Sequence, residues 1–146
     1  MKGEPVRYNY TTQLEWTGEK KGVLRCEGKP DINVACPPEF GGHPGIWSPE
    51  DLFLASVEIC IMTTFLWYVN KENLSLKSYD SKASGTVEMS GGVFQFSSIV
   101  IKVRIGISSE DDRFRVEKMM KKVERACLIT NSIRTDVNIE SDVSIV

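Results

Sequence analysis

The sequence predicts an α+β fold in which antiparallel β-hairpins pack on two central helices. Three patterns support this prediction. Residues 52–69 form one long, almost wholly apolar stretch of helical length. Strand-like segments lie together on either side of it, joined by turns, and do not alternate with helices as in a doubly wound sheet. A second set of apolar residues, within 116–127, recurs at helical spacing. The predicted order is therefore βββ-α-ββ-α-β.

The size and charge of the chain set the broad class of protein. It has 146 residues and a net charge of −2, which predicts a single domain over 1–146 with a substantial core. Lysine and arginine are not gathered on one stripe, so we do not expect nucleic-acid binding. The first ten residues lack the apolar core of a signal peptide. We therefore expect a cytoplasmic protein whose thiols are reduced.

The first third of the chain predicts three strands and a rigid loop. Residues 6–16 alternate enough to form a strand, and 23–26 and 32–36 form two short strands around a Gly-Lys-Pro-Asp turn. Segment 37–45 contains three prolines and three glycines. Because both residue types interrupt regular structure, this segment is predicted to be the loop that leads into the first helix.

The first helix has a well-defined start. Ser48 is a suitable N-cap, and the Pro-Glu-Asp that follows it fits the first helical turn. The helix is expected to end at about residue 69. Glu58 lies in the middle of the apolar stretch, and a carboxylate near a bilayer centre costs about 2.5–3.5 kcal/mol. A core helix is therefore predicted, and not a membrane span.

The second half of the chain predicts a hairpin, a helix and a last strand. Strands are expected at 79–89 and 93–107, joined by a Ser-Gly-Gly turn. Ser109 is a suitable cap for the second helix, which carries three acidic residues in its first turn and ends at Cys127. The last strand is expected at 137–145.

The four cysteines and the single histidine do not form a metal-binding pattern. Cys26, Cys36, Cys60 and Cys127 are widely spaced, and no Cys-x-x-Cys pair is present. No bound metal is therefore expected. Cys26 and Cys36 flank a tight loop and are most simply structural, and His43 is most simply an exposed loop residue.

Two segments carry a resemblance to a known family. Ser48-Pro49-Glu50-Asp51 begins a helix in which Cys60 follows Glu50 by ten residues, and a Cys-x-x-x-Asn-Ser turn begins at Cys127. In this order and spacing they resemble the OsmC/Ohr family of thiol-dependent peroxidases. The resemblance covers the chain from about residue 17 onward.

The resemblance implies a fold, a reaction and a set of partners. The fold would be an intertwined homodimer whose long helices pack centrally against sheets from both chains. Cys60 would reduce an organic hydroperoxide, its sulfenic acid would condense with Cys127, and an external dithiol would reduce the disulfide. Glu50 would be the active-site glutamate. No metal, flavin or haem is implied.

Elementary electrostatics predicts different roles for the two cysteines. A thiolate is the nucleophile, but burial in an apolar helix raises a thiol pKa, and Cys60 is too far from the helix start to gain from its dipole. A nearby cation is therefore expected. Cys127 lies near a helix C-terminus, where negative charge is disfavoured. It is better suited to resolve a sulfenic acid on Cys60.

The expected cation is where the chain departs from the family pattern. Lysines Lys20 and Lys21 stand where Ohr-type members carry an arginine, and Arg25 is a further candidate. Glu50 lies ~15 Å from Cys60 along one helix. It must therefore act on the cysteine of another chain or hold the cation that does, which predicts a site built across a dimer interface.

A second class of function stays open at this stage. A protein of the same fold could bind an apolar small molecule in the dimer cleft, with peroxidase chemistry weakened by the missing arginine. A third possibility is an interaction module with inert thiols. Loss of peroxide in the presence of a dithiol distinguishes the first reading from the other two.

Overall fold

The structure is a computed structural model that describes residues 3–146. Its main elements follow the predicted order, with one additional short helix. They are β1 (Gln13–Gly18), β2 (Lys21–Arg25), β3 (Ile32–Ala35), α1 (Pro49–Lys71), β4 (Leu76–Ser90), β5 (Val93–Ile107), α2 (Arg113–Ala126), α3 (Leu128–Ser132) and β6 (Val137–Ile145).

Contacts within the chain divide it into two compact units, one that ends at Leu52 and one over Phe53–Val146. The N-terminal unit holds an antiparallel sheet of order β1-β2-β3. The first strand begins at Gln13, later than predicted, and residues 3–12 have no regular secondary structure. Val6, Tyr8 and Tyr10 in that segment are exposed, and the registers of β2 with β1 and β3 do not include residues 3–12.

The start of α1 agrees with the capping prediction. The Ser48 hydroxyl accepts a hydrogen bond from the Asp51 backbone N–H at 3.1 Å, and the Asp51 carboxylate accepts one from the Ser48 backbone N–H at 3.0 Å. This reciprocal arrangement satisfies two donors at the helix start. Ser48 is itself buried, which keeps water from competing for these bonds.

The C-terminal unit holds a sheet of order β4-β5-β6. Strands β4 and β5 form the predicted hairpin, but β6 pairs with β5 in parallel. The sequence predicted this last strand but not its direction. The reason is topological: α2 and α3 carry the chain back across the sheet, so β6 enters in the same direction as β5.

One face of α1 packs into the core of the C-terminal unit. Its buried residues are Val57, Ile61, Phe65 and Val69, at a spacing of four, and they share one apolar cluster with β5 and α2. Within residues 3–146, α1 is the one helix long and apolar enough to cross a membrane. The core helix of a soluble protein meets the same criterion, and Glu58 of α1 accepts a 2.7 Å hydrogen bond from Ser81 of β4.

Tyr79 of β4 occupies an unusual position beside this core. Its ring lies 5.6 Å from that of Phe65, and its hydroxyl is buried with no hydrogen-bond partner among residues 3–146. Burial, and secondarily the charge of Glu58, raises the pKa of Tyr79 to about 12. A buried hydroxyl without a partner contributes a desolvation cost and no compensating bond.

We expect Tyr79→Phe to leave the free energy of unfolding at neutral pH unchanged or to raise it by up to about 1 kcal/mol. In the parent protein, folding raises the pKa of Tyr79, so the unfolded chain loses this proton more readily than the folded chain does. The free energy of unfolding is therefore unaffected by this ionisation below the ordinary pKa of 10.0 and falls as the pH rises from there toward 12. The variant should lose less stability over that interval. Urea unfolding at pH 7 and pH 11 measures both effects, and Tyr8→Phe, at an exposed tyrosine, is the matched control.

Candidate active site

Cys60 and Cys127 lie together in the C-terminal unit. Cys60 is partly buried on α1 and packs against the core cluster, of which the fully buried Cys127 is a member. The two thiols are close enough that the interaction between them lowers the pKa of Cys60 and raises that of Cys127. Two cysteines 67 positions apart in the sequence are thus brought close together, and each is a free thiol.

The backbone at Cys127 separates two helices. Cys127 has an extended conformation (φ −62°, ψ 114°) that ends α2 and begins the five-residue α3. Its N–H donates to the Val123 carbonyl at 2.9 Å, and its carbonyl accepts from the Asn131 N–H at 3.0 Å. The Thr130 hydroxyl donates to its sulfur at 3.1 Å. The sequence pattern did not predict α3, although the Cys-x-x-x-Asn-Ser segment ends with its last two residues.

The start of α3 changes the electrostatics at Cys60. Burial acts to raise the pKa of the Cys60 thiol, but hydrogen bonds from the Ile129 N–H, the Cys127 thiol, the Thr64 hydroxyl and the Leu128 N–H together bring it below its ordinary value. The first N–H groups of a helix have no partner within the helix and can stabilise a thiolate. The sequence did not predict these donors, because it did not predict the helix that begins at Leu128.

Cys127 experiences the opposite effect. Burial raises the pKa of the Cys127 thiol, the Thr130 hydrogen bonds partly oppose this, and the adjacent Cys60 sulfur adds to the increase. Cys60 is therefore the better thiolate of the pair. The dipole of α2 predicted the same order from the sequence, whereas in the structure burial and the interaction between Cys60 and Cys127 are the causes.

Glu50 is partly buried in the first turn of α1, in the N-terminal unit. Its Oε2 atom is buried and has no hydrogen-bond partner among residues 3–146. A buried carboxylate oxygen is costly when it is unpaired. The single chain therefore leaves Glu50 in need of a donor.

The basic residues considered as the cation all interact within the N-terminal unit. The Lys20 ammonium group donates to the Phe40 carbonyl at 3.2 Å, and Lys21 pairs with Glu19 at 3.1 Å. Arg25 pairs with both Glu15 and Asp31. The groups that act on the Cys60 pKa, within the part of the chain that the structure describes, include no cation. His43 lies 3.6 Å from the Glu19 carboxylate.

Cys26 and Cys36 do not flank one loop as expected. In the register of β2 and β3, Lys21 lies opposite Ala35, so Cys36 follows at the end of the sheet where β2 begins. Cys26 follows the other end of β2, six residues beyond Lys20 and about 20 Å away at the rise of a β-strand. The two thiols are too far apart for a disulfide within one chain. Among residues 3–146, no group of three His, Cys, Asp or Glu side chains is arranged to hold a metal ion.

Comparison with known families identifies the fold. Residues 42–142 match the sequence pattern of the OsmC-like proteins. The chain belongs to the OsmC-like family. An uncharacterized protein of Bacillus subtilis, YmaD, is 22% identical over 142 residues, which cover 94% of this chain and 95% of that one. An uncharacterized protein of Acinetobacter baylyi is 21% identical over 135 residues, 92% of each chain.

Solved structures of OsmC-like proteins have the same fold. An OsmC-like protein of unknown function from Vibrio cholerae aligns with a TM-score of 0.85 at 21% identity, over 93% of this chain and 100% of that one. An organic hydroperoxide resistance protein from Elizabethkingia anophelis aligns with a TM-score of 0.73 at 18% identity, over 97% and 100% of the two chains. The prediction of an OsmC-like α+β fold is confirmed.

Proposed function

We propose that this OsmC-like protein is a thiol-dependent peroxidase that reduces organic hydroperoxides. The observation that carries the proposal is the proximity of a thiol of lowered pKa, Cys60, to a buried thiol of raised pKa, Cys127. Such a pair suits an attacking and a resolving cysteine. The proposal includes a cytoplasmic location and an external dithiol as the reductant.

The proposed reaction consumes one hydroperoxide and two thiols. The Cys60 thiolate attacks the distal peroxide oxygen, the O–O bond breaks, and the alkoxide takes a proton and leaves as an alcohol. The Cys127 sulfur then attacks the sulfur of the Cys60 sulfenic acid, and the hydroxyl group leaves as water. The external dithiol reduces the resulting disulfide and restores both thiols.

The proposed site includes a second copy of the chain. The buried, unpaired Oε2 atom of Glu50 supports this, because a donor from a second chain would satisfy it. Lys20 and Lys21 remain candidates for that donor and for a cation near Cys60. Both form contacts with the 3–52 region in the single chain, so they would have to exchange partners in a dimer.

The decisive experiment measures hydroperoxide consumption. Reduced protein is mixed with tert-butyl hydroperoxide and dithiothreitol, and peroxide loss is followed beside the dithiol alone and beside a Cys60→Ser variant. We expect the parent protein to consume peroxide far faster than either control. A parent rate equal to that of the dithiol alone would refute the peroxidase function.

The N–H groups at the start of α3 should contribute to the reactivity of Cys60. Leu128→Pro removes one of these donors at the first helical position, where proline is tolerated, and the extended Cys127 before it is compatible with a proline. We expect the rate of Cys60 oxidation at neutral pH to fall at least roughly tenfold, because a hydrogen bond to a charged group contributes about 1.5–3 kcal/mol. The pH at which the rate is half-maximal should rise.

Leu128→Ala is the matched control for this substitution. It removes the same exposed side chain but keeps the N–H group, so its rate and pH profile should match those of the parent. Stopped-flow oxidation of reduced protein over a pH series measures both. Equal pH profiles for the proline and alanine variants would show that this N–H group does not stabilise the thiolate.

A cavity favours a second candidate function, the binding of a small molecule. A cavity of about 830 Å³ lies in the C-terminal unit, with the rings of Phe53 and Phe96 stacked 4.9 Å apart in its wall. Polar side chains, including Glu88, Arg134 and Asp136, line much of the rest. This mixed lining suits an amphipathic ligand better than the purely apolar one expected from sequence.

A further inference from the structure

In the N-terminal unit, the Cys36 thiol lies near the ammonium nitrogen of Lys20. The Cys36 thiol donates to the Phe40 carbonyl oxygen at 3.5 Å, and the Lys20 ammonium group donates to the same oxygen at 3.2 Å. Because the Cys36 sulfur and the Lys20 nitrogen donate to the same oxygen, they lie at most about 7 Å apart. Rotation about side-chain bonds alone can therefore bring the Cys36 sulfur and the Lys20 nitrogen into contact.

The backbone holds these two residues side by side. The Cys36 N–H donates to the Lys20 carbonyl at 3.1 Å, and the Cys36 carbonyl accepts from the His43 N–H at 2.8 Å. A Cβ atom at Gly42 would stand 1.7 Å from the Cys36 carbonyl oxygen, so this approach requires glycine. The position of the pair thus depends on rigid backbone contacts, whereas the two side chains can rotate.

An organic molecule can reach the pair. Cys36 and Lys20 both line a cavity of about 400 Å³. Its remaining wall is mainly apolar and includes Leu14, Trp16 and Val34. An apolar cavity with a thiol and an ammonium group in its lining suits the organic portion of a hydroperoxide near a nucleophilic sulfur.

The N-terminal unit provides no second thiol to resolve an oxidised Cys36. Within residues 3–52 the other cysteine is Cys26, about 20 Å away along the sheet. Lys21 is engaged by the Glu19 carboxylate. The Lys20 nitrogen is therefore the side-chain nucleophile best placed to capture a sulfenic acid on Cys36.

We propose that Cys36 and Lys20 form a second redox site, at which an organic hydroperoxide oxidises the thiol and the lysine nitrogen captures the product as a covalent sulfur–nitrogen bond. The proposal takes only its oxidant class from the proposed function. The cross-link would join the β1–β2 turn to the loop after β3, and a dithiol would reverse it.

The chemistry of this step balances. The Cys36 thiol releases its proton to solvent, and its sulfur attacks the distal peroxide oxygen. The O–O bond breaks, and the alkoxide takes a proton from the Lys20 ammonium group and leaves as an alcohol. The neutral amine then attacks the sulfur of the sulfenic acid, and the hydroxyl group leaves with an amine proton as water. The sulfur is oxidised, and the peroxide is reduced.

The test uses a chain in which Cys36 is the one remaining cysteine, made by the substitutions Cys26→Ser, Cys60→Ser and Cys127→Ser. Circular dichroism checks its fold against the parent. After treatment with tert-butyl hydroperoxide, we expect the intact mass to fall by about 2 Da, the loss of two hydrogen atoms. Tryptic digestion should give a peptide that joins Lys20 to Cys36, and dithiothreitol should restore the original mass.

Lys20→Arg in the same background is the matched control. Arginine keeps the positive charge and can donate to the Phe40 carbonyl, but it lacks a primary amine. We expect oxygen additions at Cys36 and no loss of 2 Da in this variant. The proposal is wrong if the variants with Lys20 and with Lys20→Arg gain oxygen equally or if neither variant reacts. It is also wrong if the cross-link maps to Lys21, or if a disulfide through Cys36 joins two protein molecules. Because Cys60 is absent, none of these results depends on whether the protein is a peroxidase.

Discussion

Oxidation of the reduced protein with one equivalent of an organic hydroperoxide should join Cys60 to Cys127. The two thiols already lie close enough to interact, so the disulfide should form with little movement of the backbone. A sulfenic acid on Cys60 would meet the Cys127 sulfur before a second peroxide arrives. Peptide mapping after alkylation of the remaining thiols should find Cys26 and Cys36 outside this disulfide.

The same contact predicts a large effect of Cys127→Ser. Without the resolving thiol, the Cys60 sulfenic acid should be oxidised further to the sulfinic acid, which a dithiol does not reduce. We expect loss of activity during repeated peroxide additions to be at least about tenfold faster than in the parent, while the first oxidation of Cys60 keeps its rate within about threefold.

Cys26→Ser is the control for this series, because Cys26 lies in the N-terminal unit, at the far end of β2 from Cys36. It should inactivate at the parent rate. A main disulfide that contains Cys26, or a Cys127→Ser variant that resists peroxide as well as the parent does, would contradict the assigned roles.

The second large effect concerns association of two chains. The α1 face opposite the core exposes Ile59, Thr63 and Trp67, again at a spacing of four, and Ile59 and Trp67 are each 56% exposed. A central helix with an exposed apolar stripe predicts a protein partner. The buried Oε2 atom of Glu50, which has no hydrogen-bond partner among residues 3–146, also supports a partner chain. We therefore predict an obligate dimer with this stripe in its interface.

Ile59→Glu should weaken this dimer strongly. Burial of one isoleucine side chain contributes about 1.5–3 kcal/mol, the change occurs twice in a symmetric dimer, and each buried carboxylate adds a desolvation cost. The dissociation constant should rise at least about 100-fold. Sedimentation at micromolar concentration measures it, and Lys121→Glu, on the exposed surface of α2, controls for added charge. A parent protein that sediments as a folded monomer would refute the prediction.

Local sequence predicted the elements whose causes are local. Ser48 and the three residues after it specify the start of α1 through hydrogen bonds that span three residues. The Ser-Gly-Gly turn specifies the β4–β5 hairpin, because Gly91 and Gly92 both have positive φ. The apolar spacing of α2 likewise predicted its buried face. Each of these features depends on side chains or backbone angles within a few residues.

The first strand shows the limit of that reasoning. Residues 6–12 alternate as a strand does, but no neighbouring backbone pairs with them in the N-terminal sheet, and regular structure begins at Gln13. A strand exists only where a partner supplies hydrogen bonds, and no local pattern reveals whether that partner is present.

The sequence by itself determined the α+β class, the positions of the two long helices and the two cysteines of the candidate site. Only the tertiary structure decided that β6 runs parallel to β5, that α3 begins at Leu128 with its N–H groups directed at Cys60, and that Cys36 lies beside Lys20. The physical reason is how far apart in the sequence the interacting residues lie. Caps, turns and helical stripes follow from neighbours in the chain, whereas these three contacts join residues separated by 16 positions or more, and they form only when distant segments pack together.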